Sequence, residues 1–139
     1  LSEPFGYRYS LSQLSSPLLE RASILYVWVT PEESRRKNEE RADPNDPGSI
    51  LHHGVPIDVM MNDYGCDDMT WLIEQAGDNG GPAVCVEKDG SSYRLSVSRV
   101  DNRVDKTSFV RKPRAEWGAE EVKALHDELA AGLARLPRK

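Results

Sequence analysis

Apolar residues recur at every second position along the middle of the chain, in the three runs 55–61, 69–73 and 83–86. This alternation is the period of a β-strand, because successive side chains of a strand point to opposite faces. The breaks at 62–65 and 77–82 consist mostly of Gly, Asn, Asp and Pro, which tight turns favour. The pattern therefore predicts a three-stranded meander.

Two more segments have the composition of strands. Residues 23–29 are apolar nearly throughout and rich in β-branched and aromatic types, so we predict a central strand that is covered on both faces. Tyr93, Leu95 and Val97 alternate with polar residues, which indicates a strand with one face in solvent. We therefore expect an α+β fold with a single, mostly antiparallel β-sheet of about five strands and flanking helices.

Two helices are predicted in the first third of the chain. The spacing of three leucines indicates a short helix from about Ser10 that ends near Pro17. Thr30 is a candidate N-cap, with Pro31 at the first helical position and Glu33 three residues after the cap, so a second helix is expected to begin at residue 31. That helix carries no large apolar side chain, and a loop rich in Pro and Asp follows it. We expect the whole segment 31–49 to be the most mobile internal region.

A C-terminal helix is predicted over residues 116–136. Acidic residues stand at its start and basic residues at its end, which is the order that the helix dipole favours. We expect it to pack on the sheet through the apolar stripe formed by Ala119, Val122, Leu125, Leu129, Leu133 and Leu136.

The composition predicts one domain over residues 1–139. No apolar run is long enough to span a membrane, and no basic-then-apolar start predicts a signal peptide. Two cysteines, Cys66 and Cys85, are too few for a disulfide framework, so we expect reduced thiols and a cytoplasmic protein. The chain begins at Leu1, which leaves open the alternative that it is an interaction domain of a larger chain.

Charge is distributed unevenly. The net charge is −5 at pH 7, and residues 43–89 contain ten acidic side chains against the single Lys88. Such a field repels nucleic acid and membrane phosphates and accelerates association with a basic protein. An equally strong alternative is that these carboxylates are solvated turn residues.

The sequence contains no strong catalytic motif. His52 and His53, with Asp63, Asp67 and Asp68 nearby, have the ligand types of a divalent-metal site, and a small metal-dependent hydrolase is the alternative that they leave open. Adjacent histidines on a strand point to opposite faces, so we favour a loop dipeptide. The two aspartates that follow Cys66 disfavour a reactive thiolate there. We therefore predict neither a catalytic residue nor a metal or other cofactor.

The middle of the chain resembles a known family. It has an apolar strand with a proline at 55–57, a turn at 64–68 reading Tyr-Gly-Cys-Asp-Asp, and an aromatic-aliphatic strand at 70–73. A glycine turn with Gly77, Gly80 and Gly81 then leads to the short apolar strand 83–86. This succession is similar to the core of the SUKH superfamily.

The resemblance implies an α+β fold with a mostly antiparallel sheet and a non-enzymatic role as a bacterial immunity protein. Such a protein neutralises a toxin by covering its active surface, and a basic nuclease-type toxin would fit the acidic middle of this chain. Trp71 is a further anchor if it is exposed, although we expect it in the core. The residues predicted to bind the partner are Asp63, Tyr64, Asp67, Asp68 and Asp78.

Overall fold

The computed structural model describes residues 6–42, 45, 53–62 and 67–137. Two short helices, α1 (Tyr7–Ser12) and α2 (Ser16–Arg21), precede strand β1 (Ile24–Trp28) and helix α3 (Pro31–Arg41). Helices α4 (Ile57–Asn62) and α5 (Met69–Ala76) come before the hairpin of β2 (Ala83–Lys88) and β3 (Ser91–Asp101). Two 3-10 turns (Ser108–Arg111 and Arg114–Glu116) lead to helix α6 (Ala119–Ala134). The α+β class predicted from the sequence is confirmed.

The described residues form one mixed sheet of three strands in the order β1-β3-β2. β1 pairs with β3 in parallel, with Ile24 opposite Val97, and β2 pairs with β3 in antiparallel, with Val84 opposite Leu95. The prediction of about five mostly antiparallel strands is therefore wrong. The apolar strand predicted at the centre of the sheet is β1, which lies at an edge, and β3 is the central strand.

Two of the predicted strands are helices. The run 55–61 largely falls in α4, where the Met60 N–H donates to the Pro56 carbonyl at 2.9 Å, and the run 69–73 falls in α5. Met69, Leu72 and Ile73 of α5 reach the core, which is the i, i+3, i+4 spacing of a helix face. Trp71 fits only the strand pattern and not the helix face. Its side chain is 48% exposed, so the expectation that Trp71 lies in the core is wrong. Short apolar runs fit both periods, so tertiary packing decides between them.

The β2–β3 hairpin follows from its turn. Asp89 and Gly90 both have positive φ angles, 51° and 77°, as the two-residue type I′ turn requires. This turn matches the twist of the two flanking strands. Both strands predicted from the alternation in this region are present, and β3 extends further than expected, to Asp101.

The main core lies between one face of the sheet and helices α2 and α5. The opposite face of β3 packs against α6, as predicted; Leu125, Leu129 and Leu136 of the predicted stripe are partly buried, whereas Val122 and Leu133 are exposed. Gly132 makes the close approach: a Cβ atom there would lie 2.7 Å from Val100 Cγ2 and 3.1 Å from Leu25 Cδ1. The buried core cluster consists of Leu19, Met69, Leu72, Val84, Val86, Leu95 and Val97.

Helix α3 is polar yet well anchored. Thr30 Oγ1 accepts a hydrogen bond from the Glu33 N–H at 3.1 Å, which confirms the predicted N-cap. The buried Asn38 side chain accepts from the Val55 N–H at 2.7 Å and donates to the Val55 carbonyl at 2.8 Å. The segment before α4 is therefore tied to α3 by hydrogen bonds instead of apolar packing. The loop predicted at 42–49 lies outside the described residues, except for Ala42 and Asn45.

The carboxylate of Asp105 provides a second anchor for α3. It accepts from Lys37 Nζ at 2.6 Å and from the Thr107 and Ser108 N–H groups at 3.0 and 3.1 Å. Burial by itself raises the pKa of Asp105, but these hydrogen bonds outweigh burial and lower the pKa well below its usual range. The ionised form of Asp105 is thus the one that the fold stabilises.

Candidate functional site

A cleft of about 430 Å³ lies at the end of β1. Its walls come from α1, the continuous segment from the end of β1 into α3, α4, and the start of α5. Its volume is within the range of about 300–1,000 Å³ that is usual for ligand pockets. The principal lining residues are Tyr7, Tyr26, Val27, Val29, Thr30, Pro31, Arg35, Met60, Met61, Asp67 and Asp68.

The predicted partner-binding residues are distributed in three ways. Asp67 and Asp68 both line the cleft, at the start of α5. Asp78 is exposed in the turn after α5 and is not among the residues that line the cleft. Asp63 and Tyr64 lie outside the described residues. The structure therefore brings two of the five predicted residues together.

Asp68 has a structural role. Its carboxylate is only 8% exposed, and it accepts from the Tyr7 N–H at 3.0 Å and the Arg8 N–H at 3.3 Å. These N–H groups open α1, whose own N-cap residue, Gly6, has no side chain with which to cap. Asp68 thus caps a helix that precedes it by about sixty residues.

Asp67 is the exposed carboxylate of the cleft. One oxygen accepts from the Met69 N–H at 2.8 Å, and the other accepts from the Tyr26 hydroxyl group. The rings of Tyr7 and Tyr26 meet edge to face, with their centres 6.4 Å apart. Two aromatic rings and a carboxylate are therefore adjacent on one wall of the cleft.

The side chains that line the cleft carry a net negative formal charge, with Asp67 and Asp68 against Arg35. Among the described residues, no Lys, Arg or His side chain forms an ion pair with Asp67 or Asp68, whereas the lining Arg35 is paired with Glu32 at 3.4 Å. Burial raises the pKa of Tyr7, and the charges of Asp67 and Asp68 raise it further. The Tyr7 hydroxyl group therefore lies within the field of the two carboxylates, and the same field would attract a cation into the cleft.

The rim of the cleft is apolar. Val27 is 48% exposed on β1, and Met61 is 52% exposed on α4. Methionine and aromatic side chains, here Met61 with Tyr7 and Tyr26, are enriched in protein interfaces. Sequence reasoning missed Tyr7, Tyr26, Val27 and Met61. The local pattern assigned Tyr26, Val27 and Met61 to strands and Tyr7 to no predicted element, and no local signal joins these segments.

A second groove of about 560 Å³ lies beside β2. It is lined by α1, by α5 with the half-exposed Trp71, and by residues 84–87 of β2. Arg8 and Glu87 both line it, so its charges are balanced. It therefore lacks the negative character of the cleft beside β1.

The metal-dependent hydrolase, the alternative that the sequence left open, has no metal site among the residues that the structure describes. Among these residues, no three His, Cys, Asp or Glu side chains are grouped closely enough to hold a metal ion. His53 is exposed, and its predicted partners His52 and Asp63 lie outside the described residues, as does Cys66. Cys85 is a free, exposed thiol. No helix within the same residues is both long and apolar enough to cross a membrane.

No protein-family model, curated protein or solved structure matches the chain. The similarity to the SUKH superfamily stays a prediction from the residues quoted above.

Proposed function

We propose that this chain is a non-enzymatic binding module that recognises a basic protein through the cleft beside β1. The observation that carries the proposal is the pair Asp67 and Asp68, which have no ion-pair partner in the described residues and sit inside an apolar rim. A Lys or Arg side chain of a partner would supply the missing charge. The net charge of −5 acts in the same direction, because it steers a basic protein toward the chain.

Within this proposal the two carboxylates have different tasks. Asp67 is exposed and is the direct contact, whereas Asp68 holds α1 in place and adds its charge from below the surface. Val27 and Met61 supply the apolar area that a partner would remove from water. The toxin-neutralising role that the family resemblance implies is the specific form that we propose, with a cationic toxin as the basic partner in a bacterial cytoplasm.

The test is capture of a partner from the native host lysate, followed by measurement of the dissociation constant with the identified, purified partner. We expect Asp67→Asn to weaken binding by about fivefold at 50 mM salt, which corresponds to roughly 1 kcal/mol for an exposed charge pair. Asp78→Asn, an exposed turn substitution outside the cleft, is the matched control and should leave binding unchanged. Raising the salt to 500 mM should weaken the wild type more than Asp67→Asn.

Equal binding by the wild type and Asp67→Asn at low salt would exclude the cleft as the contact surface. A captured partner of acidic charge would exclude the basic-protein proposal altogether.

A further inference from the structure

The described residues leave backbone hydrogen-bonding groups unused along the outer edge of β1. The Trp28 carbonyl accepts from the Asn102 N–H at 2.9 Å, so the backbone groups of Trp28 point toward β3. Successive residues of a strand direct their N–H and C=O groups to opposite sides, so Tyr26 also faces β3, and Leu25 and Val27 face away from it. No described residue forms a hydrogen bond with the backbone of Leu25 or Val27 on that outer side.

The side chains of β1 are typical of a strand that is covered on both faces. All five residues, Ile24–Trp28, are apolar or aromatic, and parallel strands of this kind are normally covered on both faces. Instead, Val27 is half exposed, and the cleft runs beside it. β1 itself contains no lysine, proline or bulge of the kind that protects an open edge. An apolar edge whose N–H and C=O groups are not used by any described residue is a template for another strand.

We propose that an extended segment of the basic protein partner adds to the sheet as a strand along the outer edge of β1. This inference rests on the proposed function for the sign of the partner's charge. The backbone of the segment pairs with the N–H and C=O groups of Leu25 and Val27. Recognition by strand addition gives affinity through the main chain and specificity through alternate side chains.

The two faces of β1 determine which side chains of the added segment fit. The Tyr26 hydroxyl donates to Asp67, so Asp67 lies on the Tyr26 face of the edge. A side chain of the added segment on that face would extend into the cleft, where Asp67 and the ring of Tyr7 favour a cation. A side chain on the opposite face lies beside Val27, which favours an apolar residue. The segment that fits therefore alternates basic and apolar residues.

The probe is the acetylated and amidated pentapeptide Val-Lys-Val-Lys-Val, titrated into the 139-residue chain. Binding is followed by heteronuclear NMR and by amide hydrogen exchange. We expect slower exchange of the Leu25 and Val27 amides in the complex, whereas the Tyr26 amide, already paired with β3, should change little. Exchange that slows at Cys85 and Glu87 instead would place the peptide on the β2 edge and overturn the inference.

Two backbone-methylated peptides are the matched controls. One carries N-methyl groups on the valines only, and the other carries them on the lysines only, so each loses the donors on one edge and keeps every side chain. A strand pairs with β1 through one edge, so we expect one control to bind about tenfold more weakly and the other to bind within about twofold of the parent. Equal binding of all three peptides would overturn strand addition and leave recognition of the basic side chains intact.

A Val-Glu-Val-Glu-Val peptide separates this inference from the proposed function. We expect it not to bind, because its carboxylates would meet Asp67 and Asp68. Binding of both the lysine and the glutamate peptides with slowed Val27 exchange would uphold strand addition and overturn the preference for a basic partner. No binding of the lysine peptide at millimolar concentration would overturn strand addition.

Discussion

Replacement of Asp68 by alanine tests whether this carboxylate supports the fold or only a partner. The substitution removes the acceptor for the Tyr7 and Arg8 N–H groups, in a side chain that is 8% exposed. A hydrogen bond to a charged group is worth about 1.5–3 kcal/mol, and loss of a helix cap costs about 0.5–2 kcal/mol. Water can reach the partly buried start of α1 once the carboxylate is gone. We therefore expect the free energy of unfolding to fall by about 1–3 kcal/mol.

Urea unfolding at pH 7, followed by far-ultraviolet circular dichroism, measures this change. Asp68→Asn keeps one oxygen acceptor and should lose roughly half as much stability. Asp78→Ala removes an exposed carboxylate from a turn and should change stability by less than about 0.5 kcal/mol. If Asp68→Ala is as stable as Asp78→Ala, the carboxylate does not cap α1, and the separation of roles between Asp67 and Asp68 is wrong.

Three further predictions concern other parts of the fold. Gly132→Ala should lower the free energy of unfolding by about 0–2 kcal/mol, since overpacking against Val100 costs about 1–3 kcal/mol and the gain in helix propensity is about 1 kcal/mol. The fold lowers the pKa of Asp105, so the ionised Asp105 stabilises the folded state fully above the unfolded-state pKa of about 3.9. This contribution is lost progressively as the pH falls below that value. The urea midpoints of the wild type and Asp105→Asn should therefore converge from pH 5 to pH 2. Asp67→Asn should lower the pKa of Tyr7 toward 10.0, as measured by an NMR titration of its ring.

Each of these has a result that contradicts it. In a Val100→Ala background the overlap at Gly132 is relieved, so Gly132→Ala should there cost less by about 1 kcal/mol, and no difference between the backgrounds would refute the close approach. A constant gap between wild type and Asp105→Asn at every pH would show that ionisation of Asp105 does not stabilise the fold. An unchanged Tyr7 titration in Asp67→Asn would show that the charge of Asp67 does not act on the Tyr7 hydroxyl group.

Local chemistry predicted several elements correctly. Asp89 and Gly90 stand between the two strands predicted from alternation, and the hairpin turn lies there because few residue pairs adopt two successive positive φ angles. Thr30 ahead of Pro31 predicts the start of α3, because the cap and the fixed φ of proline act within one turn. In each case the deciding contacts lie within a few residues of each other, so the sequence contains them directly.

The errors arose where two periods fit the same run. Met69, Trp71 and Ile73 alternate like a strand, whereas Met69, Leu72 and Ile73 are spaced like a helix, and packing of α5 against β2 buries the second set. The same holds for β1, whose composition predicts a central strand. It lies at an edge because the described chain provides no further strand beside it.

The candidate site was predictable only in part. The sequence by itself determined an α+β chain, an acidic middle, a hairpin, a capped polar helix and a C-terminal helix, since each depends on neighbours in the chain. Tertiary structure alone decided that Asp68 caps α1, that Asp67 meets Tyr26, and that Val27 stays exposed on an open edge. Those contacts join segments 40 to 60 residues apart, roughly, and their free energy depends on packing that no local pattern encodes.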